Sequence, residues 1–252
     1  MSTALVHIGV PKTGSTSFQQ WIYQHRDLLL DQRGITLYDS VVPHVRRAQV
    51  HTELLLLAQR PERDCVAKLL IPEWSTPAWQ QRARDHLAAQ VAAPAENLLF
   101  THEGLFLLRH PDEIERLLAL LAPRQVRVVV CLREPAAFLR SYRAQMRKND
   151  HPLSTDPASS FHLEESGWIS DWEQLLAAWR SVLGEENVVT IDYEQSMATF
   201  GSTTQPLLEA FGIDTDGLPP MNLARANRSR NPRLDRVIRR TTRRVRRLFL
   251  RS

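Results

Sequence analysis

Four apolar runs rich in β-branched residues have strand length, at residues 4–10, 97–101, 126–132 and 187–192, with a weaker fifth at 35–38. Between them apolar positions recur at 3.6-residue spacing among good helix formers, which predicts helices over 15–30, 46–59, 77–93, 112–121, 135–148 and 170–183. Strands that are apolar on both faces and alternate with helices form a parallel sheet covered on both sides. The expected fold is therefore α/β, a sheet of four or five parallel strands flanked by helices. Ligands of such sheets sit beyond the carboxyl ends of the strands. Three of the strong strands run into polar residues there: Pro11-Lys12-Thr13-Gly14-Ser15, Thr101-His102-Glu103 and Arg133-Glu134. Residues 149–166, rich in Asp, Ser, Pro and His without periodicity, read as a long loop of the kind that often forms a lid.

The 252 residues, 43% of them hydrophobic, suit one domain with a substantial core. The N-terminal apolar stretch has no basic lead and is cut short by Pro11-Lys12, so it reads as a first strand and not as a signal peptide. The apolar runs at 117–122 and 126–132 fall far short of the roughly 20 residues that cross a bilayer. Cys65 and Cys131 are widely separated and in no ligand-like spacing, which suggests neither a disulfide nor a zinc site and fits a reducing, cytoplasmic setting.

Charge is unevenly spread. The net +4 conceals a segment, 230–252, with ten arginines against one aspartate, so the rest of the chain carries about −5. Leu234, Val237, Ile238, Val245 and Leu248 fall near one face of a helix drawn over it. The chain is thus divided into a domain over 1–229 and a basic amphipathic C-terminal helix or tail. That tail has the composition of a membrane-surface helix, could draw a polyanion or glycan, or is a solvated terminal helix, the reading preferred here. No nucleic-acid partner is expected.

Lys12, Thr13, Gly14, Ser15, Thr16 and Ser17 follow the first strand and open a helix, the setting in which backbone amides and the helix dipole bind an anion. In the usual nucleotide-triphosphate loop the Lys follows the last Gly, and a Ser or Thr then holds magnesium. Here Lys12 precedes Gly14 by two residues, and the 126–132 strand ends in Arg133 where an acidic partner would stand. Arg133 and Ser141, on a helix entered at Pro135, offer a guanidinium and a hydroxyl that suit a terminal phosphate.

The loop Pro-Lys-Thr-Gly-Ser-Thr-Ser resembles the 5′-phosphosulfate loop of the sulfotransferase family, and Arg133 with Ser141-Tyr142 eight residues on is similar to that family's 3′-phosphate pair. The resemblance runs over about 4–230 through these short motifs. It implies a P-loop-like three-layer fold, 3′-phosphoadenosine-5′-phosphosulfate (PAPS) as sulfuryl donor, no metal, and an acceptor hydroxyl on a carbohydrate or small metabolite. It further implies donor contacts from Tyr193 near the adenine and, more loosely, from Arg225, Asn227 and Ser229. For the catalytic base it leaves two neighbours open. Thr101-His102 is similar to the base-bearing pair of small-molecule members, whereas Glu103 is similar to the acidic residue of bacterial and carbohydrate-directed ones. Lys12 would meet charge on the leaving phosphate. Trp74, in a turn-rich stretch, is a candidate platform for a sugar or aromatic acceptor. The competing functions are a kinase, which requires magnesium and a nucleoside triphosphate, and a noncatalytic nucleotide-binding protein held at a membrane by the tail.

Overall fold

The computed structural model describes residues 2–42 and 50–221. Its five strands, β1 (Thr3–Ile8), β2 (Ile35–Leu37), β3 (Asn97–His102), β4 (Gln125–Leu132) and β5 (Val188–Asp192), form one fully parallel sheet in the order β2-β3-β1-β4-β5. Ten α-helices accompany it among the described residues: α1 (Ser15–Gln24), α2 (Arg26–Arg33), α3 (Thr52–Ala58), α4 (Val66–Leu70), α5 (Pro77–Val91), α6 (Pro111–Leu121), α7 (Pro135–Lys148), α8 (Trp172–Leu183), α9 (Tyr193–Phe200) and α10 (Thr204–Ala210).

Alternation along each strand divides the core between two faces. Ala4, Val6 and Ile8 join Leu98, Phe100, Val128 and Val130 under α3, α5, α6, α7 and α8. Leu5, Leu99, Val129 and Cys131 face α1, α2 and α10 through Phe18, Trp21, Leu29, Leu207 and Leu208. Both sides of every central strand are therefore apolar, which is why those strands read as unbroken hydrophobic runs. Cys65 and Cys131 are buried free thiols.

The predicted helix over 15–30 is two helices, broken at His25, whose backbone (φ −111°, ψ 20°) leaves the helical range. Helices α4, α9 and α10 were not expected. The loop over 149–166 is pinned at its centre: Asp64 accepts from Ser159 Oγ (2.5 Å) and from the Ser160 amide (2.6 Å), and Arg143 donates to the Leu163 carbonyl. Phe161 and Leu163 are buried with the core.

Register aligns the business ends of the strands. Ile8 lies opposite His102 on β3, and Leu132 on β4 lies opposite Asp192 on β5. With strands about 4.8 Å apart, whatever follows β1, β3, β4 and β5 emerges along one edge.

Candidate functional site

From β1 the chain turns through Gly9–Gly14 into α1. Lys12 adopts a left-handed backbone (φ 71°), unusual for a residue with a side chain, and Gly14 does likewise (φ 83°) at the cap of α1. The turn is tied from several sides. Thr13 Oγ1 donates to the Val10 carbonyl (2.7 Å), Ser15 Oγ reaches the same oxygen (3.5 Å), and Thr203 Oγ1, just before α10, donates to the Thr13 carbonyl (3.0 Å). Thr13 and Ser15 are buried, whereas Lys12 and Thr16 are exposed and Ser17 half-exposed. The Ser17 and Phe18 amides are taken by the Gly14 carbonyl at the cap (2.9 and 3.2 Å), and the N-terminal end of a helix dipole attracts negative charge.

Arg133, one residue beyond β4, leans over this loop. Its Nη1 donates to the Lys12 carbonyl (3.2 Å) and to Ser141 Oγ (3.3 Å) on α7. Its guanidinium lies 4.7 Å from the centre of the Tyr193 ring, and Nε is 3.5 Å from the Glu194 carboxylate. Trp172 Nε1 holds the Arg133 carbonyl at 2.7 Å. Glu134 caps α7, accepting from the Ala136 and Ala137 amides (2.8 and 2.6 Å), which holds its carboxyl below the ordinary range and keeps it from pairing with Arg133. Arg133 Nε, turned toward Glu194, is buried without a hydrogen bond. Lys12, Arg133, Ser141 and Tyr193, spread over 182 positions of sequence, thus meet at one strand edge.

At the end of β3 the two neighbouring candidates part ways. His102 is buried, its Nδ1 accepts from the Gly104 amide (2.9 Å), and burial lowers its pKa to about 4. The ring is therefore neutral and committed to capping. Its carbonyl accepts from the Gly9 amide (3.2 Å), which lays the end of β3 against the loop. A Cβ on Gly9 would stand 3.2 Å from the Glu103 Cα and 2.9 Å from Ser15 Oγ, so glycine is what allows this close approach. Burial pushes the Glu103 carboxyl up to about 7, with the Lys12 ammonium pulling the other way. The same carboxyl helps raise the buried Tyr142 phenol above its usual value, after burial itself.

Beneath these residues Thr101 is held on all sides. His7 Nδ1 lies 2.8 Å from its hydroxyl, Gln19 Nε2 donates to that hydroxyl (3.3 Å), and His51 brackets the backbone, accepting from the Thr101 amide (2.9 Å) and donating to its carbonyl (3.0 Å). Burial lowers the His7 pKa to about 3, so its ring is uncharged. Trp74 is half-buried against the core with the Lys68 ammonium 4.5 Å from its ring centre, which engages the indole within the fold. Arg225, Asn227, Ser229, the boundary at 229 and the tail lie outside the described residues.

Thr203, Glu194 and the His7–Gln19–His51 set were not singled out from the sequence. A polar Ser202-Thr203-Thr204 run before an apolar segment was the one available signal for the first. Among the described residues no group of three His, Cys, Asp or Glu could hold a metal ion, and no helix is long and apolar enough to cross a membrane.

A family model described as the sulfotransferase family matches residues 5–217. No curated protein matches the chain. Among solved structures, a sulfotransferase from Alicyclobacillus acidocaldarius is similar at 12% identity and a TM-score of 0.56, covering 93% of this chain and 88% of its own. The sulfotransferase domain from the curacin biosynthetic pathway is similar at 15% identity and a TM-score of 0.46, covering 88% and 77%.

Proposed function

Because the chain belongs to the sulfotransferase family, we propose that it transfers the sulfuryl group of PAPS to an acceptor hydroxyl, with Glu103 as the base. One observation carries the donor assignment: an anion-binding loop with Lys12 at its tip is joined by a direct hydrogen bond to Arg133, which also holds Ser141 and lies over Tyr193. The arrangement suits a ligand whose ribose carries a phosphate at each of two positions and a flat base beside them. The loop would hold the 5′ end, Arg133 and Ser141 the 3′-phosphate, and Tyr193 the adenine. Arg225, Asn227 and Ser229 are proposed as further donor contacts. The chemistry needs no metal, since Lys12, Arg133 and the loop amides supply the positive charge.

In the transfer, the acceptor oxygen attacks sulfur, its proton passes to the Glu103 carboxylate, and the bond from sulfur to the 5′-phosphate oxygen breaks with both electrons going to that oxygen. Lys12 meets the charge that develops there. Support for Glu103 over His102 comes from availability. His102 spends Nδ1 on Gly104, whereas Glu103 has a pKa of about 7, near the value at which a general base works best, and feels Lys12 electrostatically. The acceptor we propose is a carbohydrate or small-metabolite hydroxyl, with Trp74 at most a peripheral contact given its packing.

The test is calorimetric titration with 3′-phosphoadenosine-5′-phosphate (PAP), without magnesium, on wild type and Arg133→Ala, followed by sulfuryl transfer from PAPS to a panel of hydroxyl acceptors with Glu103→Gln and His102→Asn. Binding lost in Arg133→Ala, and turnover lost in Glu103→Gln by a factor of about 10²–10⁴ but kept in His102→Asn, is expected. Magnesium-dependent binding of ATP in place of PAP would overturn the donor assignment in favour of a kinase.

A further inference from the structure

The loop that carries Lys12 is held in a backbone shape it would not choose alone. Lys12 sits at φ 71° and Gly14 at φ 83°, two residues apart. A left-handed residue with a side chain persists only where its surroundings over-determine it. Of the ties on this loop, those to Val10 are local, the Gly9 amide is held by the His102 carbonyl of the neighbouring strand, and the one from Arg133 comes from the donor grip itself. A further one comes from 190 residues away. Thr203, 2% exposed, donates its hydroxyl to the Thr13 carbonyl at 3.0 Å. It also stands where a Gly14 side chain would go, since a Cβ there would be 2.4 Å from Thr203 Oγ1. Thr203 is fixed in turn, because Ser202 Oγ accepts from the Thr204 amide (3.1 Å) and Thr204 is fully buried.

In a trans peptide the C=O and the following N–H point in opposite directions. Drawing the Thr13 oxygen toward α10 therefore turns the Gly14 amide away from α10. Resting on the donor reading above, we propose that Thr203 is a positioning residue: its hydroxyl locks the Thr13–Gly14 peptide so that the Gly14 amide and Lys12 present themselves to the 5′ end of the donor. Thr203 is buried and touches the loop, so on this proposal its contribution is confined to the 5′ end.

That confinement gives a test. PAP and adenosine 3′-monophosphate, which lacks the 5′-phosphate, are titrated into wild type, Thr203→Val and Thr203→Ser, with unfolding temperatures recorded alongside. Thr203→Val keeps the shape and loses the donor. It is expected to bind PAP about five- to tenfold more weakly, the effect of one lost hydrogen bond, while binding adenosine 3′-monophosphate within twofold of wild type. Thr203→Ser, which keeps the hydroxyl, restores PAP binding. Equal weakening for both ligands, unchanged PAP binding in Thr203→Val, or failure of Ser to rescue would each overturn the assignment. If the wild type binds PAP but Thr203→Val behaves as described for none of these ligands, this inference alone falls; if the wild type does not bind PAP, the donor reading falls and takes this one with it.

Discussion

Replacing Glu103 by Gln should stabilise the folded protein, and only above a defined pH. The Glu103 carboxyl has a pKa of about 7 when folded, raised chiefly by burial, against an ordinary value of 4.5. A carboxyl with a raised folded pKa binds its proton more tightly when folded, so folding loses stability as pH climbs from 4.5 to 7 and the loss is complete above 7. The rise from 4.5 to about 7 corresponds to about 3 kcal/mol at pH 8, and to less than about 1 kcal/mol at pH 5. Glutamine is close in shape and carries no charge to desolvate. Glu103→Gln should therefore raise the unfolding temperature by about 6–12 °C at pH 8, at 2–4 °C per kcal/mol for a domain of this size, and by far less at pH 5. Thermal unfolding of both proteins at the two pH values measures it. An equal gain at both, or none at pH 8, refutes the idea that a desolvated carboxylate is held here. Such a gain alongside lost turnover would mark Glu103 as a group kept for chemistry at the expense of stability.

Gly14→Ala puts a methyl carbon 2.4 Å from Thr203 Oγ1 at a left-handed φ of 83°, so PAP binding should fall below detection by calorimetry while far-ultraviolet circular dichroism stays near wild type. Trp172→Phe removes the 2.7 Å hydrogen bond to the Arg133 carbonyl but can keep the edge packing on Phe138, and PAP affinity should drop several-fold by the same titration. Arg63→Met strips the fully buried Glu113 carboxylate of its 2.6 Å ion pair, leaving only amide donors from Arg60, Arg109 and His110, and should cost about 3 kcal/mol in urea unfolding. Adding Glu113→Gln to that variant should recover part of the loss; no recovery would argue against a stranded charge.

The chemistry that can be read along the sequence is the chemistry that is local in it. The loop from Lys12 to Ser17 and the step from Arg133 to Ser141 are each set by one strand end and one helix, so residue spacing suffices to pair them. The four strong strands were legible because burial on both faces makes them apolar throughout. Thr203 was not, because its link to Thr13 spans 190 residues and depends on α10, a short helix with a proline at Pro206 and little amphipathic signal. The choice between His102 and Glu103 lies in side-chain direction and desolvation, which composition does not record. Trp74, an indole in a turn-rich stretch that suggests a platform, is half-buried against the core with Lys68 over its ring, a contact that spacing along the chain does not reveal.

The alignment of β3 with β1, which sets Ile8 opposite His102, also determines how this fold can change its chemistry. Successive strand residues point to opposite sides, so one extra residue between Thr101 and His102 would carry the imidazole into the place now held by the carboxylate. Everything before the insertion, including Thr101 and its buried partners, would stay where it is. With Glu103 as the proposed base, a lineage passes from carboxylate to imidazole by a single codon insertion, without rebuilding the proposed donor site at the ends of β1 and β4.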